Sequence, residues 1–107
     1  MVLQNVADLI NREARKLQRQ GVDKIVLMSH LQGINSDLDL LPLLKDVDVA
    51  IAGGGDELLA NDGDLLLPGD EGAVFGPYPI VAMDRRGRDV PVIATSGSYG
   101  YVGRLEV

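Results

Sequence analysis

The chain has 107 residues, 46% of them apolar, a formal net charge of −6 and no cysteine. This size and composition fit one globular domain with a modest core, and they exclude a disordered chain, a disulfide framework and any thiolate metal site or nucleophile. The acidic balance argues against nucleic-acid binding, which needs a basic surface to displace counterions. The sequence carries no secretory apolar region and no membrane-spanning run.

Val2 to Gln20 is the clearest helix. Val2, Val6, Leu9, Ile10, Ala14 and Leu17 form one apolar stripe, Arg12, Arg15, Lys16 and Arg19 suit the negative end of the helix dipole, and Gly21 is a C-terminal stop. Its role reads as structural. The run Ile25 to Met28 then has the unbroken hydrophobicity of a strand covered on both faces, and it delivers the chain's one histidine, His30, to the strand's carboxyl end. Ligands of open α/β sheets gather there, and neutral imidazole is a common metal ligand. The plain alternative is a histidine that closes the strand and bonds a neighbouring loop.

Leu38, Leu41 and Leu44 recur at helical spacing over 37–45, with Ser36 or Asp37 available as a cap and Pro42 limiting the helix to a few turns. A second apolar run, Val47 to Ala52, empties into Gly53-Gly54-Gly55-Asp56-Glu57. The order reads as β-α-β, so both strand ends, with His30 and the Gly53–Glu57 loop, should share one sheet edge. Three glycines there could also present N–H groups to a phosphate, but no P-loop lysine accompanies them.

Between Asp37 and Glu71 there are ten acidic residues against one basic residue, Lys45. Most of these read as solvated positions, and Asn61–Asp64 and Gly69–Glu71 read as turns, lacking the ligand ladder of a calcium loop. Residues 53–78 are the least regular segment, either a lid or a surface insertion. Ile80–Met83 and Val90–Ala94 flank Asp84–Asp89 as a hairpin, with Arg85, Arg86 and Arg88 expected to be solvated at its tip. Pro91 suggests an edge or a strand end rather than the centre of a sheet. Gly97, Tyr99, Gly100 and Tyr101 form a small aromatic-glycine turn, followed by an expected strand over 101–107.

The segments Gly21-Val-Asp-Lys-Ile-Val-Leu-Met-Ser-His-Leu, Asp46-Val-Asp-Val-Ala-Ile-Ala-Gly-Gly and Thr95-Ser-Gly-Ser-Tyr-Gly-Tyr-Val-Gly-Arg-Leu-Glu-Val107, in that order and spacing, resemble the second half of the metallophosphoesterase domain of bacterial 5′-nucleotidases and related alkaline phosphatases, in the calcineurin-like superfamily. The resemblance implies an α/β fold in which an N-terminal helix, a β-α-β unit and C-terminal antiparallel strands form part of a layered metallophosphoesterase sandwich. Residues 1–107 would then be a single domain, itself a fragment of a larger metallophosphoesterase domain.

By the same resemblance His30 is a ligand of a two-metal centre. The family's following Gly-His-x-His pattern falls on Gly55 and Glu57, so Glu57 and Asp56 are the substitute metal ligands, and Tyr99 is the substrate-contact candidate. The implied function is hydrolysis of phosphate monoesters, 5′-nucleotides above all, by a metal-dependent parent using Mn²⁺, Zn²⁺ or Mg²⁺. The family's upstream Asp-x-His, bridging aspartate and Asn-His pair are absent, and one histidine with two carboxylates cannot hold an ion pair about 3.5–4 Å apart. The chain alone is therefore expected to be inactive and to hold no metal by itself, a hydrolase fragment with no catalytic residue of its own. The alternative is a degenerate, non-catalytic α/β binding or assembly domain. Expected partners are a nucleotide or other phosphate ester in the parent, no nucleic acid and no membrane. Self-association through an exposed sheet is also expected, and family likeness suggests a periplasmic or secreted setting.

Overall fold

A computed structural model describes residues 2–107. Helix α1 (Leu3–Arg19) is followed by strand β1 (Val26–Ser29), helix α2 (Ile34–Leu40) running into a 3-10 turn (Leu41–Leu43), and strand β2 (Val49–Ala52). Two short strands, β3 (Leu58–Leu59) and β4 (Val74–Gly76), precede the hairpin of β5 (Ile80–Met83) and β6 (Asp89–Ile93). The main sheet has the order β1-β2-β6-β5, with β1, β2 and β6 parallel and β5 antiparallel to β6. The architecture is mixed α/β, as the sequence predicts.

Helix α1 ends as its sequence requires. The N–H of Gly21 donates to Gln18 and that of Val22 to Leu17, while Gly21 takes φ +90, the left-handed geometry that lets the chain turn without a Cβ clash. Ala7 and Ala14 are the buried contacts of the helix, and their small size lets it lie close to the sheet. Leu27, Ala50, Ala52, Val90, Val92 and Ile80 share the sheet's inner face. Ile34, Leu40, Leu41 and Leu44 fill the space against it.

Among the described residues, helices cover only this face. Val26, Met28, Val81 and Met83, which alternate with the inner residues, are 51%, 78%, 59% and 60% exposed. The unbroken apolar run around β1 thus predicts a strand covered on both sides, whereas β1 is an edge strand covered on one.

Several local expectations change. The 37–45 helix starts earlier, at Ile34, and turns 3-10 at Pro42. Pro91 lies in an interior strand, which tolerates it because β6 pairs with β2 only from Val92 onward. The irregular 53–78 segment contains the parallel β3-β4 pair, and no strand forms over 101–107. Instead Tyr101 anchors that tail, its hydroxyl donating to Asp70 and accepting from the N–H of Leu67.

The hairpin tip is also less solvated than its charge suggests. Arg86 pairs with buried Asp46, and Arg88 pairs with Asp84 and, at 3.7 Å, with Asp48. Asp84 is buried and accepts the N–H groups of Arg86 and Arg88 at 2.8 and 2.9 Å. Burial alone would raise its pKa, but those N–H groups and the Arg88 guanidinium hold it below the usual carboxylate range. A carboxyl depressed on folding contributes stability above its unfolded pKa and loses it as pH falls through the folded value. Asp84→Asn should therefore lose about 1–3 kcal/mol at neutral pH. That deficit should shrink below about pH 4, as urea melts of both proteins across pH 3–7 would register.

Candidate functional site

Because β1, β2 and β6 are parallel, the segments that follow them emerge at one sheet edge. These are His30-Leu31, Gly53–Glu57 and Ala94–Gly100. The first two are pressed together. The N–H of Gly53 donates to the carbonyl of Ser29 at 2.9 Å, and a Cβ on Gly54 would sit 1.6 Å from the carbonyl oxygen of Leu31. Only glycine allows that approach.

Cross-links then fix the loops. Asp56 accepts the N–H of Gly97, joining the β2 and β6 loops. Glu57 accepts the N–H of Ile34 at 2.9 Å, so its carboxylate caps the start of α2 from a distant loop, where neither Ser36 nor Asp37 does so. A Cβ at position 55 would lie 2.0 Å from Glu57 Oε1, so this cap and a side chain at 55 exclude one another. The bare backbone of Gly55 thus makes room for the capping carboxylate two residues on.

His30 is exposed at the edge and takes part in no hydrogen bond or ion pair among the described residues. Tyr99 is fully exposed, and Ser98 and Tyr99 both hold left-handed backbone, at φ 66 and 57. That conformation costs a non-glycine residue about 1–2 kcal/mol, and such strain gathers at functional loops.

Sequence reasoning missed Asp37. It is 1% exposed, accepts a hydrogen bond from the Ser29 hydroxyl, and leaves Oδ2 buried without a partner. Burial pushes its carboxyl above the usual range, the Ser29 bond opposes this, and the charge of Glu57 adds to it. The signal was available, since Asp37 lies three residues after Ile34 and four before Leu41, on the buried stripe of its helix.

Among the described residues, no three His, Asp or Glu side chains are grouped closely enough to hold a metal ion. One imidazole, the Asp56 carboxylate and a Glu57 committed to capping supply fewer free donors than a closed divalent site uses.

No family model matches the sequence. An apyrase of Aedes aegypti is 28% identical over 98% of this chain, and the snake venom 5′-nucleotidase of Naja atra is 32% identical over 92% of it. The 5′-nucleotidase precursor of Thermus thermophilus superimposes with a TM-score of 0.67 at 35% identity, covering 79% of this chain and 16% of that one. The chain is similar in sequence to a region of 5′-nucleotidases and apyrases. It spans 19% of the Aedes protein and 18% of the Naja protein. The chain has the α/β fold that its sequence resemblance implies, with the segments carrying His30 and Asp56 at one sheet edge. No helix among the described residues is long and apolar enough to cross a membrane.

Proposed function

We propose that residues 1–107 are a single folding unit that forms one edge of a larger phosphoesterase domain, whose reaction is hydrolysis of phosphate monoesters with 5′-nucleotides as substrates. The observation that carries this is the gathering of His30, the Gly53–Glu57 loop and the Tyr99 turn at the carboxyl edge of parallel strands, in a chain of 5′-nucleotidase-family sequence. His30 is the imidazole donor to a divalent ion, Mn²⁺, Zn²⁺ or Mg²⁺, and Asp56 a carboxylate donor. Glu57 acts mainly by fixing α2, and could reach an ion only by leaving Ile34. Such an ion would polarise the phosphoryl group and lower the pKa of bound water. This chain's own part is to hold the His30 backbone through Gly53 and Gly54 and to present Tyr99 to the ester. Alone it is inactive.

The capping role of Glu57 and the bare Gly55 favour a second reading, a non-catalytic binding or assembly domain. Manganese titration of the ¹⁵N-labelled chain separates the two. Because the chain supplies only part of a coordination sphere, the proposal expects weak paramagnetic broadening centred on His30 and Asp56 at excess manganese, abolished by His30→Ala, with Glu57→Gln lowering stability and sparing this weak contact. Manganese binding unchanged by His30→Ala would discard it in favour of the assembly reading.

A further inference from the structure

At the opposite edge of the sheet lies a concavity of about 270 Å³ lined by Asp8, Asn11, Arg12, Arg15, Lys45, Asp46 and Arg85. Its residues come from three places. Asp8, Asn11, Arg12 and Arg15 fall at i, i+3, i+4 and i+7 on one face of α1. Lys45 and Asp46 precede β2, and Arg85 follows β5, whose antiparallel course brings it back to that edge.

The walls are fastened together. The Asn11 side chain donates to the Leu43 carbonyl at 3.0 Å and accepts the Lys45 N–H at 2.9 Å, while the N–H of Arg85 donates to the Leu44 carbonyl at 2.8 Å. Asp46 is neutralised by Arg86. Asp8 accepts from Gln4 and is the one other acid in the lining. Among the described residues, Arg12, Arg15, Lys45 and Arg85 enter no ion pair. Four of the chain's ten basic residues thus converge unpaired on one hollow of a protein with net charge −6. The helix dipole favours Arg12 and Arg15 in the later turns of α1, but it does not account for Lys45 and Arg85 facing the same hollow from other elements.

We propose that this hollow is a binding site for an oligophosphate anion, recognised through its phosphoryl groups alone. Three guanidinium forks and one ammonium match the oxygens of two adjacent phosphoryl groups, each fork able to bind two oxygens. No aromatic or aliphatic residue lines the hollow, so nothing in it receives a base. Its volume lies just under the range usual for whole organic ligands. The site is at the far end of the sheet from His30, and the inference does not depend on the chemistry proposed there.

The test is a titration of the ¹⁵N-labelled chain with inorganic pyrophosphate, ADP and acetate at fixed ionic strength. Saturable 1:1 binding of pyrophosphate is expected, with shifts confined to residues 8–15, 44–46 and 84–86. Arg12→Gln and Arg85→Gln, both at exposed positions without ion pairs, should each weaken it about tenfold or more. Acetate should not bind. Equal affinity for ADP and pyrophosphate supports recognition of the diphosphate alone, whereas tighter ADP binding with shifts elsewhere overturns it. Linear shifts at Arg19, Lys24 and Arg104 as much as at Arg12, or an affinity unchanged by both substitutions, would reduce the cluster to general surface charge.

Discussion

Replacing Gly54 with alanine is expected to destabilise the chain by about 3 kcal/mol or more, lowering its melting temperature by on the order of 15 °C. The cause is steric and local. The new methyl would stand 1.6 Å from the Leu31 carbonyl oxygen and 2.7 Å from the His30 carbonyl carbon. Both are backbone atoms with no rotamer into which to retreat, so relief requires parting the ends of β1 and β2. Gly53 is also confined, with the Ser29 oxygen 2.9 Å from its would-be Cβ. The strain therefore cannot be passed along the loop. Gly72→Ala is the matched control, since nothing lies within 4 Å of a Cβ there, and it should melt near the parent. Scanning calorimetry of both variants decides the matter: a Gly54→Ala protein melting within a few degrees of Gly72→Ala would mean that the two loops do not touch. The same substitution should displace His30, because the carbonyl carbon it strikes belongs to that residue.

The Gly53–Gly54 contact shows what was legible in the sequence and what was not. Two apolar runs joined through a helical segment imply parallel strands, and parallel strands imply a shared edge for His30 and Asp56, so the site's location follows from topology. Its wiring does not. Glu57 caps a helix that begins 23 residues earlier, and that pairing is a long-range event with no local signature. The arginines at the hairpin tip looked solvated because charge runs usually are, yet Arg86 finds Asp46 forty residues away. The outer face of the sheet is a different case. Val26 and Met28 carry the pattern of a strand buried twice, yet among the described residues nothing covers them, and they share that exposed face with Val81 and Met83. The same exposure underlies the proposed self-association, and a monomeric sedimentation profile up to high micromolar concentration would argue against it.

Leu41→Ala is expected to cost about 3 kcal/mol, within the range usual for a buried leucine. The fully buried positions of α1 and β2 include small residues, Ala7, Ala14, Ala50 and Ala52. The longest apolar side chains at 1% exposure or less come from one stretch of chain, Ile34, Leu40, Leu41 and Leu44. Alanines opposite a truncated leucine have no side chain with which to fill the space, so a cavity persists and its cost adds to the lost transfer energy. Leu9→Ala removes the same atoms from a position 57% exposed and should cost well under 1 kcal/mol. In urea the Leu41→Ala midpoint should fall with the slope unchanged, the mark of lost native stability without a new intermediate. The consequence reaches the site as well. Leu41 directly follows α2, the helix that carries Asp37 against Ser29 and takes its cap from Glu57. Loosening that helix should broaden the amide resonances of Ser29, His30 and Ile34 before the strands melt. If those signals stay sharp while stability drops, the His30 edge is held by Gly53 and Gly54 alone, and α2 serves only to fill the core.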